Sequence, residues 1–347
     1  MILGEDTRSL LIIYTGGTIG MVRDPNTGSL VPLPFNNLVD EIPEVRRSAY
    51  HLSSYAFRPL IDSSNVNPDF WVKLATIIND NYDKYDGFVI LHGTDTMSYS
   101  ASALSFMLEN LGKPVVFTGS QLPIDIPRTD ARENLLTAIE IAAARYEGKP
   151  AIPEVTIFFQ SLLFRGNRTI KHNAEEFKAF QSYNYPVLAE SGVHIRINYR
   201  AVRYPAKGSK FSVSTRFDQN VALLKLYPGI KKEIFQKIIR MEKLKALVLE
   251  TYGAGNAPTE PWFLNEIRRA IEAGIIIMNV TQCSQGFVEM GEYETSRELD
   301  KLGVVSGHDI TSEAAITKLM YLLGKYVKGD QIKADLNKSI RGEISIT

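Results

Sequence analysis

The chain of 347 residues has almost no cysteine and no net charge. Cys283 is its only cysteine, which excludes an intrachain disulfide and favours a reducing compartment. Lysine plus arginine and aspartate plus glutamate both number 39. A neutral chain lacks the electrostatic footprint of a protein that binds nucleic acid or an anionic membrane. We therefore expect neither as a partner.

Long apolar runs and several common catalytic signatures are also missing. The first apolar run, residues 10–14, is too short for a membrane span, and no signal-peptide pattern surrounds it. We expect no membrane association and a cytoplasmic location. The chain contains neither the phosphate-binding pattern Gly-x-x-x-x-Gly-Lys-Ser/Thr nor the Gly-x-Ser-x-Gly elbow of serine α/β-hydrolases. The five histidines show no metal-ligand spacing, so no metal site is expected.

Short apolar runs alternate with amphipathic helical stretches, a pattern typical of parallel α/β architecture. The length favours two domains. From residue 195 to 216 the periodicity weakens, and the stretch carries six basic residues and no acidic one. A basic patch for an anionic partner is one interpretation, but the neutral total favours a solvated hairpin and linker. We predict an N-terminal catalytic α/β domain at 8–205, a linker at 206–219 and a smaller C-terminal α/β domain at 220–347.

Three helix boundaries can be predicted from local patterns. Asn67-Pro68 supplies an N-cap and a first helical position. Residues 98–111 read as a helix that Gly112 closes. Asp130 can cap a further helix, with Glu133 in position to reach back.

Two segments place threonine hydroxyls on turns that follow apolar runs. Thr15-Gly16-Gly17-Thr18-Ile19-Gly20 follows residues 10–14, and His92-Gly93-Thr94-Asp95-Thr96-Met97 follows residues 88–91. In open α/β sheets, ligand sites gather at this edge of the sheet. One hypothesis is a threonine that attacks a carbonyl while glycine-turn N–H groups receive the oxyanion. The alternative for the first segment is a tight strand-to-helix turn.

The flanking polar residues also allow two interpretations each. Asp95 can share a pocket with Thr94 or can cap the following helix. His92 can be a catalytic base, but a packed or hydrogen-bonded histidine is commoner. The segment from Asp62 to Asn65 can receive a carboxylate or form a plain turn. Lys171 can be surface charge or, when partly buried near other cations, a base.

Taken together, the motifs resemble the bacterial-type L-asparaginases, and specifically their cytoplasmic type I branch. They occur in family order across nearly the whole chain, and the ordered set is highly specific. The matching segments are Tyr14 to Met21, Asp62-Ser63-Ser64, Gly87 to Met97, Thr118-Gly119-Ser120-Gln121, Arg165 to Thr169 with Lys171, Tyr252 to Pro258, and Asn279 to Cys283.

The resemblance implies a fold, a reaction and a set of site residues. The fold would combine a larger N-terminal flavodoxin-like sheet with a smaller, Rossmann-like C-terminal α/β domain. The reaction would be cofactor-free hydrolysis of L-asparagine to L-aspartate and ammonia through an acyl-threonine intermediate. Thr18 would be the nucleophile, and Thr94, Asp95 and Lys171 a second catalytic set. The substrate would be bound by Asp62, Ser63, Ser64, Thr94 and Asp95, with Asn256 at the position through which a neighbouring subunit approaches. A homodimer, or a dimer of dimers, is therefore expected.

The chain departs from the family pattern at two places. The loop from residue 22 to 34 contains no tyrosine to assist the nucleophile, and Ser29 or Leu30 falls near its place. Some type I members bind asparagine at an effector site through an arginine and a Thr-Gln-Cys segment. Thr281 and Cys283 match that possible effector site, but Glu250 occupies the arginine's position. Because a glutamate repels an α-carboxylate, this argues against that form of allostery.

Three other functions compete with an asparaginase. The asparaginase-like subunit of a tRNA-dependent amidotransferase carries an extra N-terminal domain, and only 14 residues precede Thr15 here. A non-catalytic amino-acid sensor would have no need of a nucleophile. A lysophospholipid hydrolase can contain an asparaginase-like domain, but no lipid-handling extension is visible. We expect the asparaginase.

Overall fold

The computed structural model describes residues 8–24, 27–28, 30–32, 42, 44, 50–291, 294–327 and 329–346. The chain forms two compact units. One comprises Met1–Ser182 and Pro186–Thr215, and the other comprises Tyr183–Tyr185 and Arg216–Thr347. A large mixed sheet in the first and a smaller parallel sheet in the second confirm the predicted fold class.

The first unit contains the longer series of strands. In chain order these are β1 (Ser9–Tyr14), β2 (Met21–Arg23), β3 (Leu30–Pro32), β4 (His51–Ala56), β5 (Gly87–Leu91), β6 (Leu108–Glu109), β7 (Val115–Thr118), β8 (Arg145–Tyr146), β9 (Lys149–Pro150), β10 (Val155–Phe159), β11 (Leu162–Arg165), β12 (Ile170–Lys171), β13 (Phe180–Gln181), β14 (Ala189–Ser191), β15 (Ile195–Ile197) and β16 (Ser212–Val213). Its α-helices are α1 (Pro68–Asn81), α2 (Met97–Met107) and α3 (Ala131–Ala143), and 3-10 turns occur at Thr18–Gly20, Ser63–Asn65 and Gly166–Arg168.

Eight of these strands form one sheet in the order β15-β14-β11-β10-β7-β5-β1-β4. The five strands from β10 to β4 are mutually parallel, and β11, β14 and β15 extend the sheet with antiparallel pairing. Every residue of β5 and β7 is buried, as expected of parallel strands covered on both faces. The parallel arrangement places the carboxyl ends of β4, β1, β5 and β7 along one edge.

The predicted start of α1 is confirmed. The Asn67 side chain accepts a hydrogen bond from Phe70 N at 3.1 Å, and Pro68 occupies the first turn. Phe70, Leu74 and Ile78 recur at helical spacing and are buried against the sheet.

Two other helix predictions are wrong in detail. The helix predicted for residues 98–111 ends at Met107, because β6 pairs with β16 and Asn110 takes a left-handed conformation with φ of 55°. Asp130 makes no side-chain cap to α3. Its carboxylate instead accepts backbone N–H groups of Gln121 and Leu122. In the first case a strand about a hundred residues later overrides the local pattern, and in the second case the preceding turn does.

The second unit is a four-stranded parallel sheet with helices. Its strands, β17 (Val221–Lys225), β18 (Ala246–Thr251), β19 (Ile276–Thr281) and β20 (Val305–Ser306), pair in sequence order. Its helices are α4 (Lys232–Ile239), α5 (Pro261–Glu272), α6 (Glu294–Leu302), α7 (Ser312–Lys325) and α8 (Gly329–Leu336).

The core of this unit is aromatic and aliphatic. Phe263, Ile267 and Ala270 are buried at helical spacing on α5, and the rings of Phe235 and Phe263 lie 4.9 Å apart. In the part of the chain that the structure describes, no helix is both long and apolar enough to cross a membrane.

Candidate active site

Polar residues follow four neighbouring strands of the large sheet at their carboxyl ends. Because β4, β1, β5 and β7 are adjacent and parallel, these residues face the same edge. In strand order they are Asp62, Ser63 and Ser64 after β4, Thr18 after β1, Thr94 and Asp95 after β5, and Gln121 after β7.

The turns after β1 and β5 pack backbone against backbone. Gly17 has a φ of +91°, and a Cβ atom on it would lie 2.5 Å from Gly93 N. A Cβ atom on Gly93 would lie 2.5 Å from Ser63 Oγ. Any larger residue at these positions would force the turns apart. The glycines therefore bring the segments of Thr18, Ser63 and Thr94 together.

The two threonines of the first turn differ in their surroundings. Thr15 is 2% exposed, and its hydroxyl donates to the Leu91 carbonyl at 2.8 Å. Thr18 begins the 3-10 turn and is half-buried, and its hydroxyl has no hydrogen-bond partner among the described residues. The Tyr14 hydroxyl stabilises this turn by donating to Gly20 O at 2.8 Å. Burial raises the pKa of Tyr14. Of the two threonines, Thr18 has the available hydroxyl.

Thr94, Asp95 and Lys171 form a hydrogen-bonded cluster. Lys171 Nζ lies 2.8 Å from Thr94 Oγ1 and 2.7 Å from Asp95 Oδ1. The Lys171 side chain is 17% exposed, whereas that of Asp95 is 64% exposed. Asp95 does not cap the following helix, since Thr96 holds the N-cap position of α2. The structure thus joins a hydroxyl, a carboxylate and an ammonium group from two segments 76 and 77 residues apart.

The segment after β4 forms a tight acidic turn. Asp62 Oδ1 accepts hydrogen bonds from both the backbone N–H and the hydroxyl of Ser64, each at 2.8 Å. These bonds, the backbone one first, lower the pKa of Asp62. Ser63 is 5% exposed and lies against Gly93. Asp62 thus caps the turn as an ionised carboxylate and holds the Ser64 hydroxyl.

His92 is a packed histidine. It is 1% exposed, with Nδ1 at 2.6 Å from Gly93 O and Nε2 at 2.9 Å from Ser100 Oγ. Phe70 and Phe117 contact the ring edge-on. Burial lowers the pKa of His92 to about 4. The ring is therefore neutral at neutral pH, and both nitrogens are occupied, which excludes the catalytic-base hypothesis in favour of the packed one.

The remaining predicted residues belong to the second unit. Asn256 closes a turn after β18, exchanging backbone hydrogen bonds with Tyr252 at 2.9 and 2.8 Å. Thr281 Oγ1 donates to Gly253 O at 2.6 Å and accepts from Cys283 N at 3.0 Å. Glu250 Oε1 accepts from the Ser312 hydroxyl at 2.5 Å. Hydrogen bonds within this unit therefore occupy the Thr281 hydroxyl and the Glu250 carboxylate of the possible effector site.

The sequence patterns predict no function for Gln121, which ends the matching segment Thr118-Gly119-Ser120-Gln121. Its Oε1 atom is 3.4 Å from Thr94 Oγ1. Gln121 also lines an open pocket of about 670 Å³, together with apolar residues that include Leu122 and Phe177. The signal that would have identified it is the one used for Thr18 and Thr94, a polar side chain after a buried strand of the same sheet.

Two expectations are not decided by this geometry. In the loop expected to supply a helper for Thr18, Ser29 and the side chain of Leu30 lie outside the described residues. Over the ranges that the structure describes, no group of three or more histidine, cysteine, aspartate or glutamate residues is arranged to hold a metal ion.

Comparison with known proteins finds matches for both units. The family model described as "Asparaginase, N-terminal" matches residues 9–203, and "Glutaminase/Asparaginase C-terminal domain" matches residues 220–335. L-asparaginase 1 of Escherichia coli K12 is 43% identical over 339 residues, covering 97% of this chain and 98% of that protein. The 60 kDa lysophospholipase of Mus musculus is 43% identical over 98% of this chain, which aligns with 63% of that protein. The crystal structure of L-asparaginase I from Vibrio cholerae superposes with a TM-score of 0.88 at 40% identity, over 98% of this chain and all of that one.

Proposed function

The chain belongs to the asparaginase family, and on that premise we propose that it hydrolyses L-asparagine to L-aspartate and ammonia through an acyl-threonine intermediate on Thr18. The observation that carries this proposal is the convergence at one sheet edge. Thr18 offers there a hydroxyl with no hydrogen-bond partner in the described part of the chain, at the same sheet edge as the hydrogen-bonded cluster of Thr94, Asp95 and Lys171.

In the proposed reaction the substrate is held by its two α-substituents. Asp95 uses Oδ1 for Lys171 and is 64% exposed, so its remaining oxygen can accept from the α-ammonium group. The turn from Asp62 to Ser64 receives the α-carboxylate end through its serine hydroxyls, and the Ser64 hydroxyl exchanges its bond to Asp62 for one to the substrate. This arrangement directs the side-chain amide of asparagine toward Thr18.

The chemistry proceeds in two halves. The Thr18 oxygen attacks the amide carbon, and N–H groups of the glycine turns stabilise the oxyanion, each donor contributing roughly 3–4 kcal/mol. The amide nitrogen gains the proton that Thr18 loses and leaves as ammonia, and water then hydrolyses the aspartyl ester. An isolated threonine hydroxyl is a weak nucleophile and needs a group that removes its proton. We propose that the Thr94 hydroxyl, held by the Lys171 ammonium group, supplies this relay in the absence of a loop tyrosine: it takes the Thr18 proton and gives its own proton to the leaving amide nitrogen.

We also propose that the protein acts in the cytoplasm as a homodimer or a dimer of dimers, with Asn256 near the neighbouring subunit's site. The support is the family membership and the position of Asn256 in a turn after β18. Analytical ultracentrifugation of the purified protein tests the assembly, and a monomer that turns over asparagine at full rate would contradict it.

The main test measures ammonia release from L-asparagine. We expect activity in the wild type and its loss in Thr18→Ala and Thr94→Ala, with unchanged circular dichroism. Thr76→Ala is the matched control, because Thr76 is exposed on α1 and bonds only within its own helix. Mass spectrometry of acid-quenched wild type should find an aspartyl adduct on the peptide containing Thr18. Full activity in a folded Thr18→Ala protein would refute the assignment.

A second candidate function is ester hydrolysis, which the similarity to the 60 kDa lysophospholipase favours. An acyl-threonine mechanism can cleave esters as well as amides. Release of fatty acid from lysophosphatidylcholine, measured with the same variants, separates the two. We expect turnover of asparagine and none of the lysolipid.

A further inference from the structure

Gln121 lies at the end of β7 on a turn that is fixed from behind. Its backbone N–H lies within 3.1 and 3.0 Å of the two carboxylate oxygens of Asp130. Asn134, which is 1% exposed, donates to Asp130 at 3.1 Å and to Gly119 O at 3.0 Å. Asp130 immediately precedes α3, and Asn134 lies in its first turn. The backbone of Gln121 therefore has little freedom to move.

The hydrogen bonds of the Gln121 side chain determine which way its amide points. Nε2 donates to the Ala174 carbonyl at 3.2 Å and to the Glu176 carbonyl at 3.0 Å. A flipped amide would place Oε1 against two carbonyl oxygens, and neither could donate a proton to it. The acceptor Oε1 must therefore face Thr94, at 3.4 Å from its hydroxyl oxygen.

Thr94 has one hydroxyl proton, and two described side chains lie within hydrogen-bond distance of its oxygen, Lys171 and Gln121. The Lys171 ammonium group, paired with the Asp95 carboxylate at 2.7 Å, donates to Thr94 Oγ1 at 2.8 Å. A charged lysine has no lone pair, so the Thr94 proton cannot point to Lys171. Among the described residues in hydrogen-bond contact with the Thr94 hydroxyl, Gln121 Oε1 is the acceptor. The 3.4 Å separation is long, as catalytic hydrogen bonds often are before substrate binds.

We propose that Gln121 is a positioning residue. Its Oε1 atom accepts a hydrogen bond from the Thr94 hydroxyl, and this bond orients the lone pairs of the Thr94 oxygen toward Lys171. The turn of residues 174–176, which holds the Gln121 amide, is part of the same device. The catalytic role rests on the proposed function, whereas the direction of the proton does not. The alternative is that Gln121 is only a loop anchor, which holds the turn of residues 174–176. That role would need the two hydrogen bonds from Nε2 but not the contact with Thr94.

Joint X-ray and neutron diffraction on the ligand-free protein in D₂O tests the proton directly. We expect the Thr94 deuteron to point at Gln121 Oε1, three deuterons on Lys171 Nζ, and the Gln121 amide deuterons on Ala174 O and Glu176 O. A Thr94 deuteron directed at Lys171 would overturn the proposal whatever the enzyme's activity.

Kinetics test the consequence. Gln121→Met keeps the side-chain length but lacks the acceptor and the donors, and we expect kcat for asparagine to fall about 10- to 100-fold. KM should stay within about twofold and the thermal midpoint within about 2 °C. Gln121→Glu keeps the acceptor for Thr94 and should recover part of kcat. Gln181→Met is the matched control, since no described residue bonds to the Gln181 side chain.

The outcomes separate the inference from the proposed function. Wild-type activity with unchanged kcat in Gln121→Met would refute the positioning role and leave the asparaginase assignment intact. Equal losses of kcat and thermal midpoint in Gln121→Met and Gln121→Glu would identify a loop anchor and refute it too. A wild type without asparaginase activity would refute the proposed function, and the neutron map would still decide where the Thr94 proton points.

Discussion

Two lysine–carboxylate pairs of almost equal length occupy opposite kinds of environment. Lys171 and Asp95 approach to 2.7 Å, with side chains 17% and 64% exposed. Lys318 and Glu343 approach to 2.6 Å, and both side chains are completely buried. The first pair belongs to the candidate site of the N-terminal unit, and the second joins α7 to the C-terminal segment of the other unit.

The pairs also differ in how many of their hydrogen-bonding positions are used. Lys318 Nζ contacts Glu343 and donates to the carbonyls of Leu336 and Lys338, which uses all three of its hydrogens. Glu343 accepts the N–H groups of Ile340 and Arg341.

Lys171 has two partners among the described residues, and the carboxylate of Asp95 is open to solvent. The N···O distance of a pair therefore does not tell whether the pair is structural or part of a binding site. An unused donor or acceptor does, because it can bind a ligand. This comparison predicts different failures for the two pairs.

The largest effect is expected at Lys171. The variant Lys171→Met lacks the cation that bonds Thr94 and Asp95. We expect its kcat for asparagine to fall about 10⁴-fold, which corresponds to a loss of roughly 5 kcal/mol of transition-state stabilisation. The free energy of unfolding should change by less than about 1 kcal/mol, because a pair with an exposed carboxylate contributes little to stability. Steady-state kinetics and urea titration of one preparation check both numbers. A loss of stability without a loss of kcat would reverse the comparison.

Lys318→Met should give the opposite result. Removing this lysine leaves the Glu343 charge buried without its counter-charge, and such removals destabilise by about 3–5 kcal/mol. We expect a large fall in urea midpoint, with kcat per folded molecule close to wild type.

The double variant Lys318→Met/Glu343→Gln is the control for charge burial. It removes both charges and leaves a side-chain carbonyl for the N–H groups of Ile340 and Arg341. It should be more stable than Lys318→Met alone. If it were less stable, packing of the lysine stem and not its charge would hold the C-terminal segment.

The features of the fold that were predictable are those set by neighbouring residues. Buried strands, glycine turns and the Asn67 cap depend on short-range sterics and hydrogen bonds. The two predictions that failed depend on partners outside the predicted helices. The helix predicted to reach residue 111 stops at Met107 because Leu108 and Glu109 pair with Ser212 and Val213, about a hundred residues later.

The candidate site shows the same limit. Thr18, Thr94 and Lys171 could be selected from motifs and from the family resemblance. Gln121 has the same kind of signal, a polar side chain after a buried strand, but its contact with Thr94 could not be predicted. That contact requires β7 to lie beside β5, and strand order is a tertiary property. Asp130 has the sequence pattern of a helix cap, yet its carboxylate is used by the Gln121 turn, which no local pattern reveals.

His92 extends the comparison, because all of its hydrogen-bonding positions are used although it lies next to the candidate site. Its neighbours Gly93 and Ser100 occupy both ring nitrogens, and burial lowers its pKa to about 4 from 6.5. Between those values the unfolded chain binds a proton that the folded chain does not, so stability falls as the pH falls. From about pH 7 to pH 4.5 this amounts to about 2–3 kcal/mol. His92→Gln should lose that part of the pH dependence in urea unfolding, whereas a matched change at the exposed His194 should keep it. Equal pH dependence in the wild type and His92→Gln would show that the fold tolerates protonated His92. The use of all hydrogen-bonding positions would then not be enough to distinguish a structural group from a reactive one.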